Sequence, residues 1–109
     1  MIINKIYLEN FRNYETQEIK LDKNINVFYG NNAQGKTNIL EALYICAFGR
    51  SFRTYNDVEL INFESDNAKV KVDFEKNGRE KNIEILISKK EKKTIKLNGI
   101  KVNKNSELL

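Results

Sequence analysis

The sequence predicts an α/β fold: a mixed sheet around one central helix, with an antiparallel meander in its second half. Three observations predict it. Residues 30–37, Gly-Asn-Asn-Ala-Gln-Gly-Lys-Thr, fit the phosphate-loop pattern G-x-x-x-x-G-K-[ST] and lie between a strand-like and a helix-like run. The helix-like run, Asn38 to Phe48, is apolar nearly all round, which suits a helix covered on more than one side. From Ala68 onward apolar and charged residues alternate, and Asn77-Gly78 and Asn98-Gly99 mark hairpin turns.

Each element follows in order. Ile3, Ile6, Leu8 and Phe11 punctuate an extended segment from Ile2 to Phe11, whose β-branched and aromatic residues favour a strand although its phase is imperfect. Asn10 to Tyr14 reads as a turn or bulge. Glu15 to Leu21 alternates loosely and pairs with the first strand. Asp22-Lys23-Asn24 is a turn. Ile25, Val27, Phe28 and Tyr29 form a short buried strand running into Gly30. After the loop comes the helix, closed by Gly49 as its C-cap. Arg50 to Tyr55 is a basic, aromatic connector, and Asn56 or Asp57 can cap a short helical turn through Ile61. Val70, Val72 and Phe74 face one way on the next strand, Ile83, Ile85 and Ile87 on its return. A basic turn, Lys89 to Lys93, leads to a short strand at Ile95 and Leu97, then a last one at Ile100 and Val102. Ser106 to Leu109 reads as a helix start, which suggests truncation within a longer protein.

The chain has 109 residues, enough for one domain with a modest core, and its hydrophobic fraction of 40% suits a folded protein. No apolar run is long enough to span a membrane, and a cytoplasmic location is expected. There is no histidine, so imidazole metal sites and histidine catalysis are excluded within this chain. The single cysteine, Cys46, reads as a buried small hydrophobe. A net charge of +4 is compatible with a polyanionic partner without demanding one.

The loop carries the chemistry. Gly30 and Gly35 let the backbone approach a phosphate closely, so that the N–H groups of residues 32–37 can point into one concavity. The start of the helix adds unsatisfied donors and partial positive charge. Lys36 supplies a mobile cation for the β- and γ-phosphates, and the Thr37 hydroxyl can ligate Mg²⁺.

Three blocks together resemble the N-terminus of the RecF family of bacterial recombination and repair ATPases: Leu8 to Tyr14, Gly30 to Tyr44, and Gly49 to Thr54. The first two recur more loosely in SMC/Rad50-type ATPases. The resemblance covers essentially the whole chain. It implies a phosphate-loop ATPase of the ABC type, here a head lobe with a central loop helix. It implies that Gly30, Asn31, Asn32, Ala33, Gln34, Gly35, Lys36, Thr37 and Asn38 bind ATP with Mg²⁺, and that Arg12 and Asn13 contact the nucleotide. It also implies DNA as a partner, single-stranded or gapped duplex, an ATP-dependent homodimer of the full-length protein, and work with RecO and RecR in loading RecA at single-strand gaps. The family's Walker B acids and signature motif are absent from these residues. Lys36 and Thr37 are all the chain offers for phosphoryl transfer, so weak ATP binding without turnover is expected. Glu41, one turn beyond Thr37, reads as a surface or inter-lobe group rather than a base.

Several readings stay open on the residues alone. Arg12 and Asn13 form either a polar turn or a nucleotide contact. Arg50, Ser51 and Arg53 form either a solvated connector or a contact to nucleotide or DNA phosphate. Lys89, Lys90, Lys92 and Lys93 form either a solvated hairpin tip or a DNA phosphate contact. A head segment of an SMC/Rad50-type ATPase, or a small DNA-binding module with a vestigial phosphate loop, are the alternatives for the whole chain.

Overall fold

The period-two spacing of Val70, Val72 and Phe74, and of Ile83, Ile85 and Ile87, commits both runs to strands with one apolar face. The computed structural model describes residues 2–20, 33–54 and 56–102, with only the backbone of 33–37, and shows both strands. They are β3 (Asn67–Lys76) and β4 (Arg79–Ser88), preceded by β1 (Ile2–Phe11), β2 (Tyr14–Lys20) and α1 (Ala33–Phe48) and followed by β5 (Thr94–Leu97) and β6 (Ile100–Lys101). The turn predicted at 22–24, the strand at 25–29 and the helix start at 106–109 lie outside the described residues.

The strands lie in the order β2-β1-β3-β4-β5-β6, and every pairing among the described residues is antiparallel. The sheet is expected to be mixed, and the strand expected at 25–29 lies outside the described residues. Register stacks the apolar set into rows: Ile6 opposite Val72 opposite Ile83, and Leu8 opposite Val70 opposite Ile85 opposite Ile95. All but Ile95, which is 8% exposed, are completely buried. Each such side chain contributes roughly 2 kcal/mol over its exposed state. Both Asn-Gly turns have positive φ at both central residues, as two-residue hairpins of this twist require. Ile100 departs from the predicted apolar face: it is exposed on the two-residue edge strand β6.

The imperfect phase of β1 has two causes. Its register with β3 shifts between Ile3 and Lys5, and Asn10 turns to φ 50, so Phe11 faces the core with Ile6 and Leu8.

Helix α1 begins at Ala33, five residues earlier than the apolar pattern alone predicts, so Gly35, Lys36 and Thr37 lie in its first turns. Gly49 ends it as predicted: at φ 78 its N–H donates to the Ile45 carbonyl at 2.7 Å. The helix lays Ala42, Ile45 and Cys46 on the sheet. Leu40 and Phe48 remain about half exposed, so the described layers cover one side of this helix, not the several sides expected.

Candidate site at the first turns of the helix

The β1–β2 hairpin turns on Arg12 and Asn13, and Arg12 sits at φ 54. That left-handed conformation costs a residue with a Cβ about 1–2 kcal/mol. Its neighbours hold it there. Asn56 caps a short 3-10 turn, Asp57–Leu60, by accepting from the Val58 N–H at 3.2 Å, as predicted. The chain leaving that turn then lies against the hairpin: the Arg12 N–H donates to the Leu60 carbonyl at 2.8 Å, and the Asn62 N–H to the Asn10 carbonyl at 2.7 Å.

So placed, Arg12 reaches Glu41 with two parallel hydrogen bonds, Nε to Oε1 at 2.9 Å and Nη2 to Oε2 at 3.0 Å. Arg53 reaches the same carboxylate from the other side, Nη2 to Oε1 at 2.6 Å, and also donates to Asn38 Oδ1 at 2.6 Å. Ser51 donates its hydroxyl to Glu41 Oε2 and accepts the Arg53 N–H at 2.9 Å. Asn38 donates to Asn13 Oδ1 at 2.8 Å. Two segments distant in sequence, the 12–13 turn and the 51–53 connector, are thereby tied to the N-terminal half of α1.

Glu41 overturns the surface half of its sequence reading. It is no surface group but completely buried. Burial by itself raises its pKa, but the hydrogen bonds from Arg12, Arg53 and Ser51 and the Arg12 charge outweigh that and lower it to about 2. It is ionised at neutral pH, with two guanidiniums on one carboxylate. Its spacing carried the signal: Asn38, Glu41, Ala42 and Ile45 fall at i, i+3, i+4 and i+7, one stripe of the helix. The charge obscured it.

The remaining predicted site residues are placed as follows. Gly30, Asn31 and Asn32 lie outside the described residues, and Ala33 to Thr37 contribute helical backbone. Arg12, Asn13 and Asn38 come together and, with Glu59, Ile61 and Phe63, line a cleft of about 400 Å³. Arg50 is exposed, whereas Arg53 is engaged with Glu41. Lys89, Lys90 and Lys92 are exposed on the β4–β5 turn. Lys93 folds back from it, donating to the Gly49 carbonyl at 2.6 Å and to Asp57 at 3.1 Å. None of the described helices is long and apolar enough to cross a membrane.

A helix that begins within the phosphate-loop motif, a hairpin tied to it and an antiparallel sheet fit a phosphate-loop ATPase fold. The chain belongs to the AAA domain family, whose profile matches residues 5–109. It is RecF-like: it is 51% identical over 108 residues to the DNA replication and repair protein RecF of Clostridium tetani, and 52% identical over 109 residues to that of Clostridium kluyveri. The match takes in 99% and 100% of the chain but spans only 29% and 30% of those relatives' lengths. A solved structure of the recombination mediator protein RecF-ATPrS in the RecFOR pathway superposes with a TM-score of 0.88 at 36% identity, over 96% of this chain and 29% of that one. A structure concerned with ATP-driven dimerization and DNA-stimulated activation of SMC ATPases superposes with a TM-score of 0.84 at 25% identity, over 98% and 75%. The fold is thus the phosphate-loop ATPase fold shared by RecF and SMC heads.

Proposed function

We propose that this chain is the ATP-binding part of a RecF-type DNA repair protein, one lobe of an ATPase head. The supporting observation is the union of Arg12, Asn13 and Asn38 on the first turns of the helix that carries Lys36 and Thr37. The first N–H groups of α1 have no intrahelical acceptor, and the helix places partial positive charge there. A triphosphate suits that end, with Lys36 as its cation and Asn38, next along the chain, braced by Asn13. Mg²⁺, bound with the nucleotide, would be held by the Thr37 hydroxyl and would neutralise phosphate charge.

Hydrolysis needs a group able to take a proton from water. Glu41 is unsuited: a carboxylate held at about 2 by two guanidiniums is a weak base. Glu41 therefore does not supply the general base for hydrolysis. In the full-length protein, ATP-dependent pairing of two heads, DNA binding, and cooperation with RecO and RecR in loading RecA at gaps complete the reading. The relatives are DNA replication and repair proteins, and the exposed Lys89, Lys90 and Lys92 offer salt-sensitive phosphate contacts. Calorimetric titration of MgATP into the chain tests it. Saturable binding abolished by Lys36→Ala is the expected result; no saturation by the native chain would refute it.

A further inference from the structure

Two basic groups that lie far apart in sequence, the connector beginning at Arg50 and the turn from Lys89 to Lys93, are side by side in the fold. Lys93 Nζ donates to the Gly49 carbonyl at 2.6 Å and to Asp57 Oδ2 at 3.1 Å, so the β4–β5 turn lies one lysine side chain away from the residue before Arg50. The Lys89 N–H donates to the Asp66 carbonyl at 3.0 Å, and Ser88 Oγ accepts the N–H groups of Lys90 and Glu91 at 3.1 and 3.3 Å. The turn is therefore held at both ends and shaped from within. Arg50, Lys89, Lys90 and Lys92 are exposed, and none of them has an ion-pair partner among the described residues. Asp57 is taken by Lys93, which leaves Glu91 and Asp66 as the carboxylates on and beside the turn. Arg53 adds nothing to this patch, because it is turned to Glu41. Cations thus outnumber carboxylates on a surface that the fold holds together, and a polyanion relieves their mutual repulsion.

We infer that Arg50 and the β4–β5 turn form one binding surface for the phosphate backbone of DNA, engaged by the same DNA molecule at once. The inference rests on the DNA-repair reading above and is independent of ATP binding. It goes beyond that reading, in which the turn lysines act alone, by joining to them an arginine from the other side of the Lys93 tie. Arg50 brings a planar fork that suits two phosphate oxygens, and the lysines bring point charges on long stems. Such a set follows the backbone and carries no information about base order. Lys93 makes no phosphate contact itself; its bonds to Gly49 and Asp57 fix the turn beside Arg50.

Fluorescence anisotropy of a labelled duplex and a labelled oligothymidylate, each about 20 nucleotides long, tests this as the native chain is titrated in across about 20–200 mM NaCl. The logarithm of the binding constant should fall with the logarithm of salt at a slope of about −3.6 for duplex and about −2.8 for the single strand, about −0.9 or −0.7 for each of the four contacts. Arg50→Ala and Lys90→Ala should each flatten the duplex slope by about 0.9, and the double variant by about 1.8. Lys76→Ala removes an exposed lysine at the β3–β4 turn, the other end of the ten-residue strand β4 and roughly 30 Å away, and should leave the slope unchanged. Thermal melting checks that each variant is folded, and Arg50→Gln and Lys90→Gln replace any alanine variant that is not. A slope flattened by Lys90→Ala but not by Arg50→Ala, or flattened equally by Lys76→Ala, overturns the inference and leaves DNA binding in place. Binding to polyglutamate but to neither oligonucleotide makes an acidic protein the partner and overturns it as well. A native chain that binds neither oligonucleotide at about 20 mM NaCl overturns this inference together with the DNA contact proposed above, whereas the ATP-binding reading is decided by its own titration.

Discussion

Replacing Glu41 with Gln keeps the shape of the side chain and removes its charge. The carboxyl is completely buried, and its partners bring its pKa down from 4.5 to about 2 against the upward pull of burial. At about 1.4 kcal/mol per tenfold change in proton affinity, that difference amounts to about 3 kcal/mol favouring the folded, ionised state. The folded pKa lies below the unfolded one. This stability is therefore present above the unfolded value and is lost as the pH falls from about 4.5 towards about 2. Gln cannot gain it at any pH. Its amide also turns donor hydrogens towards guanidinium donors, which adds to the cost.

Urea unfolding followed by circular dichroism, on the native chain and Glu41→Gln from about pH 7 down to about pH 2.5, measures the effect. Near neutrality the variant should be about 3 kcal/mol less stable, a midpoint lower by roughly 1.5–3 M urea for a slope of about 1–2 kcal/mol/M. The gap should close as the pH falls from about 4.5 towards about 2, because the unfolded chain takes up a proton there while the native carboxyl still resists it. Other carboxylates titrate in both proteins, so the difference between the curves isolates Glu41. A neutral-pH gap under about 0.5 kcal/mol, or a gap unchanged in acid, refutes the account.

Three further outcomes are expected. Ile85→Ala, at a completely buried position, should cost about 2–5 kcal/mol, whereas Ile100→Ala, at a position 72% exposed, should stay within about 0.5 kcal/mol; equal urea midpoints would contradict the register. Lys93→Ala removes the tie between Gly49 and Asp57 and should lower Tm by several degrees, about 1 kcal/mol, while Lys90→Ala leaves it unchanged; two equal thermal shifts would show that the tie is not stabilising. Burial pushes the Cys46 thiol up to about 12, so Ellman's reagent should label it only as urea unfolds the chain, and rapid labelling in native buffer would disprove its burial.

The sheet was legible because strand pairing imposes a period that a single sequence displays. Val70, Val72 and Phe74 alternate with charges, and Asn77-Gly78 accepts the backbone of a tight hairpin with little strain. The start of α1 was harder to place. Its apolar pattern begins at Asn38, but helical backbone begins at Ala33, in a stretch with few apolar residues to reveal a helical period. Ile100 looked like core because it follows a turn in phase, yet the two-residue strand it belongs to is at the sheet edge. Alternation shows which face a residue takes, not whether anything covers that face.

Glu41 shows where reading by pattern stops. Its arginine partners stand 29 and 12 residues away, on a hairpin turn and on a connector. Nothing local marks either arginine as its partner. A carboxylate in an apolar stripe is too costly to bury alone, so its presence there already demands cations from elsewhere in the fold. The chain contains several arginines, and only geometry selects among them. Arg12 is selected because backbone bonds donated to the Leu60 carbonyl and received from the Asn62 N–H hold its hairpin in a left-handed turn, and Arg53 because the Gly49 cap turns the connector back over the helix. The strained turn and the buried charge thus explain each other: the charge–charge contact offsets the torsional cost at Arg12, and the turn makes the contact possible. Removing the carboxylate should therefore relax the hairpin as well as the connector, which is why a single substitution at Glu41 is expected to loosen two segments far apart in sequence.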